Sequence, residues 1–142
     1  MSRSDTGAVR PGGTESSVSA GLAREDARER PPIRLLLPYS GSRTADAALD
    51  VAIDWARALS ADVWVLYVRS WDTCRGGHYF VETPREAHAV AQVAMRLLRR
   101  HGVSASEFVR DADREHVARV IVTEADALGA RLIVLGSRCR GR

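Results

Sequence analysis

The sequence predicts an α/β protein built on a doubly wound parallel sheet, and three observations lead there. Four short strand-like segments, three of them apolar, alternate with three longer ones whose apolar residues recur every three or four positions. The last apolar segment, residues 132–135, lacks polar alternation, as expected of a parallel strand covered on both faces. Two of them end in small-residue turns, Pro38-Tyr39-Ser40-Gly41-Ser42 and Gly136-Ser137-Arg138. Ligands of open α/β sheets bind at such strand ends.

Residues 1–32 read as a disordered leader. Ser, Gly, Arg, Glu and Pro dominate, and such a segment buries too little surface to offset its ordering entropy. Its five arginines are matched by five acids, so it is no basic arm for nucleic acid. A transient helix over residues 24–30 would stop at Pro31-Pro32.

Residues 33–142 then form one domain. The first strand is residues 33–38, the first helix about 43–60, with Ala45, Ala48, Leu49, Ala52, Ile53, Ala56 and Leu59 on one face. The second strand, 62–69, is rich in β-branched and aromatic residues. Residues 70–82 read as a long loop carrying Trp71, Cys74, His78, Tyr79 and Phe80. Thr83-Pro84-Arg85-Glu86 announces the second helix, with Thr83 as N-cap and Pro84 at the first helical position. Gly102 stops it. A polar strand near 104–110 suits a sheet edge. A third helix spans about 114–128, with Val117, Val120, Ile121, Ala125 and Leu128 inward and Gly129 as cap. The last strand is 132–135.

Composition excludes several classes. The chain has 142 residues, 45% of them hydrophobic, and no apolar run near the ~20 residues of a membrane span. The N-terminus lacks the apolar region of a signal peptide. Two cysteines, Cys74 and Cys139, make a disulfide framework unexpected and point to a cytoplasmic protein. The net charge of +3 is carried by arginine alone, since lysine is absent; arginine bias can mean phosphate binding, and in a lysine-free chain coding bias is the favoured reading. Neither a membrane nor a nucleic-acid partner is expected.

Taken together, Leu35-Leu36-Leu37-Pro38-Tyr39-Ser40-Gly41-Ser42, Ala48-Leu49 and Gly129-Ala130-Arg131-Leu132-Ile133-Val134-Leu135-Gly136-Ser137-Arg138 resemble the universal stress protein family over residues 33–142. The resemblance implies an adenine nucleotide alpha hydrolase-like fold with strand order 3-2-1-4-5, a role in stress response and no enzymatic activity. It also implies ATP as the ligand, at the switch point between strands one and four. There an acid after strand one holds the nucleoside, and a G-x-x-G, nine residues, then G-S or G-T pattern wraps the phosphates. On this chain the implied nucleotide or anion site comprises Pro38, Tyr39, Ser40 and Gly41, then Val68, then Gly136, Ser137, Arg138 and Gly141.

Departures from the family pattern are visible too. Ser40 stands where the acid belongs and Cys139 at the second glycine. The third glycine, fourth helix and fifth strand would lie beyond Arg142, leaving order 3-2-1-4. The expectation is weak nucleotide binding and an open face and edge on strand four, which favours a dimer, a higher homo-oligomer or a protein partner.

Other constellations are thinner. Ser40-Gly41-Ser42-Arg43-Thr44 is similar to the S-G-G-x-D-S loop of ATP pyrophosphatases but lacks its second glycine and its acid. Cys74 and His78, with His88 beyond, have metal-like spacing but fall short of four ligands. Cys74 and Cys139 both follow strands, which allows a redox-sensitive contact. His101 and His116 fall at helix ends, and Trp55, Trp64 and Trp71 are assigned to packing. No catalytic set and no metal site is expected.

Overall fold

The structure, a computed structural model, describes residues 30–138. Residues 1–29 of the expected disordered leader, together with Cys139 and Gly141, therefore lie outside the described residues. Five strands and three helices follow in the order β1 (Arg34–Pro38), α1 (Arg43–Leu59), β2 (Asp62–Cys74), β3 (Gly77–Phe80), α2 (Pro84–Arg100), β4 (Ala105–Asp113), α3 (Val117–Leu128) and β5 (Leu132–Ile133). A short 3₁₀ turn, Arg114–His116, leads into α3.

β1 lies at the centre of the sheet. It pairs in parallel with β2 from Arg34↔Asp62 to Pro38↔Leu66, and with β5 at Leu35↔Leu132 and Leu36↔Ile133. β4 runs parallel to β2 on the other side, from Val63↔Ala105 to Trp71↔Asp113. The parallel strands thus stand in the order β4-β2-β1-β5, the expected 3-2-1-4 once the extra strand β3 is set aside. β4 pairs with β2 alone, which fits its polar sequence.

Handedness distributes the helices. The steps β1 to β2 and β2 to β4 run the same way, so right-handed crossovers place α1 and α2 on one face. The return from β4 to β5 runs the other way and puts α3 opposite. The core follows this division unequally. Leu35, Leu37, Val63 and Val65 join α1 and α2 in a cluster of twenty buried residues. On the α3 face only Leu36, Leu66 and Ala125 are buried together, with Trp64, Phe108, Ile121 and Ile133 half-buried around them. Of the inward stripe expected on α3, only Ala125 is buried.

Residues 70–82 are not a loop. β2 continues to Cys74 and turns through Arg75-Gly76 into β3, which pairs antiparallel from Cys74↔Gly77 to Trp71↔Phe80. Trp71 is paired to Asp113 as well as to Phe80, so β3 occupies the edge of β2 that β1 leaves beyond Pro38. A two-residue connection flanked by aromatics is a hairpin signal. Trp71 meets Phe80 edge-on at 5.6 Å, and the Arg69 guanidinium lies 3.8 Å from the Phe80 ring centre. The same guanidinium donates twice to Asp111, at 2.8 and 2.7 Å, tying the hairpin to β4.

Further differences concern exposure. Trp55 is half exposed rather than packed, and Leu59 at the end of the α1 stripe is also exposed. β5 has two residues, although the Val134 amide still donates to the Leu36 carbonyl at 2.9 Å. Exposure around β5 is not confined to one face, for Leu132 and Leu135 are exposed while Val134 is buried against α1.

The start of α2 is as expected. Thr83 Oγ1 accepts from the Glu86 amide at 3.2 Å, and Glu86 accepts from the Thr83 amide at 2.7 Å. These bonds, the one from the Thr83 amide first, hold the Glu86 carboxyl below its ordinary range. Thr83→Ala should lower unfolding free energy by about 1 kcal/mol, read as a shifted urea midpoint at unchanged slope. A depressed carboxylate contributes stability above its unfolded pKa and loses it as pH falls through the folded value. The gap between wild type and Thr83→Ala should therefore narrow in acid.

Candidate functional site

At the C-terminal ends of β1 and β2, beside the segment after β5, the chain direction reverses across the sheet and a cleft opens there. Its volume is about 320 Å³, at the small end for ligand pockets. The floor is apolar: Pro38, Leu66 and Val68 from the strands, Val117 and Ile121 from α3, and Leu135. The rim is polar, with Ser40, Ser42, Thr44, Ser70, Tyr67 and Glu82.

Local hydrogen bonds set this rim. Ser42 caps α1, its Oγ accepting from the Ala45 amide at 3.3 Å. Ser40 donates to Ser42 Oγ at 3.0 Å, and Thr44 Oγ1 lies 3.0 Å from the same oxygen. Tyr39 is buried and donates to Asp46 at 2.7 Å. Burial first, then that bond and the Asp46 charge, push the Tyr39 hydroxyl up to about 12. Tyr67 donates to Glu82 Oε2 at 2.5 Å, and burial followed by the Glu82 carboxylate raises its pKa still further. Both phenols are therefore fixed donors at neutral pH.

Of the residues expected to form the site, Pro38, Tyr39, Ser40, Val68 and Gly136 line the cleft. Gly41 does not. It takes the left-handed conformation (φ +73°), and a Cβ there would lie 3.0 Å from Val90 of α2, so it closes the turn against that helix. Ser137 faces a separate groove along α1, shared with Ala47, Val51, Val134 and Leu135. Arg138 is exposed and is not among the lining residues.

Glu82, Tyr67, Ser70 and the α3 wall were not expected. Reading residues 70–82 as loop hid Glu82, which the hairpin delivers to the rim. An acid directly before a capping Thr, after an aromatic strand, was the available signal. No cluster of three or more His, Cys, Asp or Glu among the described residues could hold a metal. Cys74 is exposed, with its Sγ 3.5 Å from the Gly77 carbonyl.

Gly136 has a steric reason to be glycine. A Cβ there would collide with the Thr44 carbonyl and come within 2.9 Å of the Ala45 amide nitrogen. The segment after β5 therefore lies directly on the first turn of α1.

The universal stress protein family model matches residues 33–142. The chain belongs to the universal stress protein family. Among solved structures it is similar to a universal stress family protein from Burkholderia pseudomallei, at 28% identity and TM-score 0.62, over 73% of this chain and 80% of that one. A universal stress protein from Archaeoglobus fulgidus matches at 26% identity and TM-score 0.54, over 79% and 80%. A universal stress protein in complex with cAMP shares the fold at 19% identity and TM-score 0.52, over 72% and 70%. Among curated proteins, no sequence matches the chain.

The universal stress protein fold thus brings the turn after β1, the end of β2 and the segment after β5 to one cleft. No helix among the described residues is long and apolar enough to cross a membrane. Gly136→Ala should destabilise the domain by about 1–3 kcal/mol through overpacking. Gly76→Ala is the control, because nothing lies within 4 Å of a Cβ there and its φ is not positive. Equal melting temperatures for the two variants would contradict the close approach of Gly136 to Thr44.

Proposed function

We propose that this universal stress protein acts without catalysis, by association of two copies through the β5 side of its sheet. The observation that carries the reading is an apolar surface there. Val51, Trp55 and Leu59 are 46, 50 and 38% exposed and stand four residues apart on α1. Ala47 and Val51 share a groove with Val134 and Leu135, and Leu135 is 57% exposed. Among the described residues no strand pairs with the outer edge of β5. A free strand edge beside contiguous apolar side chains favours association, and covering each side chain contributes roughly 1.5–3 kcal/mol at full burial. A two-fold arrangement uses the same patch twice.

A second reading has its own support. The cleft coincides with the reversal of strand order, where open α/β sheets take ligands, and a relative of the same fold was solved with cAMP. On this reading Pro38, Tyr39, Ser40, Val68 and Gly136 contact a nucleotide-type ligand. The phosphate end is weakly held, and ATP binds less tightly than the low micromolar range.

The association reading predicts concentration-dependent mass. In light scattering across a dilution series, wild type should dimerise, and Leu135→Glu or Trp55→Glu should weaken dimerisation at least tenfold, about 1.4 kcal/mol. Val81→Glu, at an exposed position beyond β3, should leave it unchanged. A wild-type monomer at high micromolar concentration refutes association; Val134→Glu is no test, since Val134 is buried.

A further inference from the structure

We infer that a second cavity, at the rim of the sheet opposite the cleft, binds a free α-amino acid with a small apolar side chain. It lies where the C-terminal ends of α1 and α2 meet the starts of β2 and β4, and shares no lining residue with the cleft. Its volume is about 400 Å³, within the range of ligand pockets. Five polar residues line it: Arg57, Ser60, Asp62, His101 and Ser104.

The backbone supplies the first argument. Each helix ends where the chain enters the left-handed region. α2 does so at Gly102 and α3 at Gly129, but α1 does so at Ser60, with φ +50°. Among the described residues Ser60 is the one residue other than glycine with positive φ. Glycine takes that conformation without a steric penalty, and serine does not. Strained positions of this kind cluster at binding sites, and this one puts a serine on the cavity wall.

Charge is the second argument. Among the described residues none of the five side chains enters an ion pair or a side-chain hydrogen bond, whereas Arg69, Arg110 and Arg114 are each matched by an acid. The cavity therefore presents both a guanidinium and a carboxylate for pairing. An anion alone would suit Arg57 and oppose Asp62, and a cation alone would do the reverse. One small molecule carrying both charges satisfies both.

The helix ends orient that molecule. The last turns of α1 and α2 leave carbonyls without intrahelical donors and carry partial negative charge, which attracts a cation. The ammonium of the ligand therefore goes to Asp62 and its carboxylate to Arg57, with the Ser60 and Ser104 hydroxyls as neutral donors. Buried Ala56, Ala61 and Val103 supply the apolar lining, which suits a short aliphatic side chain.

The test is titration of the full chain with L-valine, isovalerate and isobutylamine, followed by the amide resonances of Gly102 and Val103. Valine should shift both saturably, and the other two, each lacking one charge, should bind at least about tenfold more weakly, as loss of a charge-assisted hydrogen bond gives. Arg57→Gln should weaken valine by a similar factor and leave isobutylamine unchanged. Asp62→Asn should weaken valine and leave isovalerate unchanged. Ser60→Gly should weaken valine while raising the urea midpoint, because the strain is relieved as the hydroxyl is lost. Arg99→Gln, in the last turn of α2 but outside the lining, should change nothing. No saturable shift with valine up to ~10 mM overturns the inference. Isovalerate binding as tightly as valine, or an equal loss in Arg99→Gln, overturns it too, since either result describes attraction of an anion to a basic surface. Valine binding that survives Ser60→Gly overturns the role of Ser60.

Discussion

β1 has to be covered on both faces, and the rest of the architecture depends on that constraint. Leu35, Leu36 and Leu37 are fully inaccessible, although consecutive strand side chains point to opposite sides. One layer of helices buries only half of them. The chain satisfies both sides by reversing direction once, after β4, so that α1 and α2 cover Leu35 and Leu37 while α3 covers Leu36. The same reversal separates β1 from β5 at their C-terminal ends and opens the cleft. Core burial and the candidate site are therefore two results of one topological step.

Much of this was legible in the residues. The unbroken apolar run at Leu35–Leu37 implied a central strand, and Thr83-Pro84-Arg85-Glu86 carried its capping box openly, because those signals are local. The hairpin was misread because Trp71, Thr73 and Tyr79 do not form an apolar run. Their strand character comes from pairing along the edges of β2 that β4 and β1 make available. Leu59, at the end of the α1 stripe, is exposed for a similar reason. Helical period identifies a buried stripe but cannot say where the neighbouring layer ends.

The site was legible in outline and not in its chemistry. Turns after strands mark the rim of any doubly wound sheet, and the family resemblance put Pro38, Tyr39, Ser40 and Gly136 on that rim, where they line the cleft. Glycine alone did not say why it was there. Gly41 answers to Val90 and Gly136 to the Thr44 carbonyl, and both reasons are close approaches between segments far apart in sequence. Glu82 reaches the rim only because β3 folds back, so no reading of the turn after β1 would have found it.

The unequal core carries one last consequence. α3 is anchored by a single buried residue, a guanidinium from Arg34 on the Leu128 carbonyl at 2.9 Å, and an ion pair to Arg110. α1 and α2 each bury five or six side chains. Regions with few buried apolar contacts open at lower free energy than the domain as a whole. α3 is also the helix whose Val117 and Ile121 form the cleft floor. On the reading of the cleft as a ligand site proposed above, a ligand seated against Val117 and Ile121 adds cover to the helix that the core covers least, and filling the cleft and opening α3 become linked equilibria.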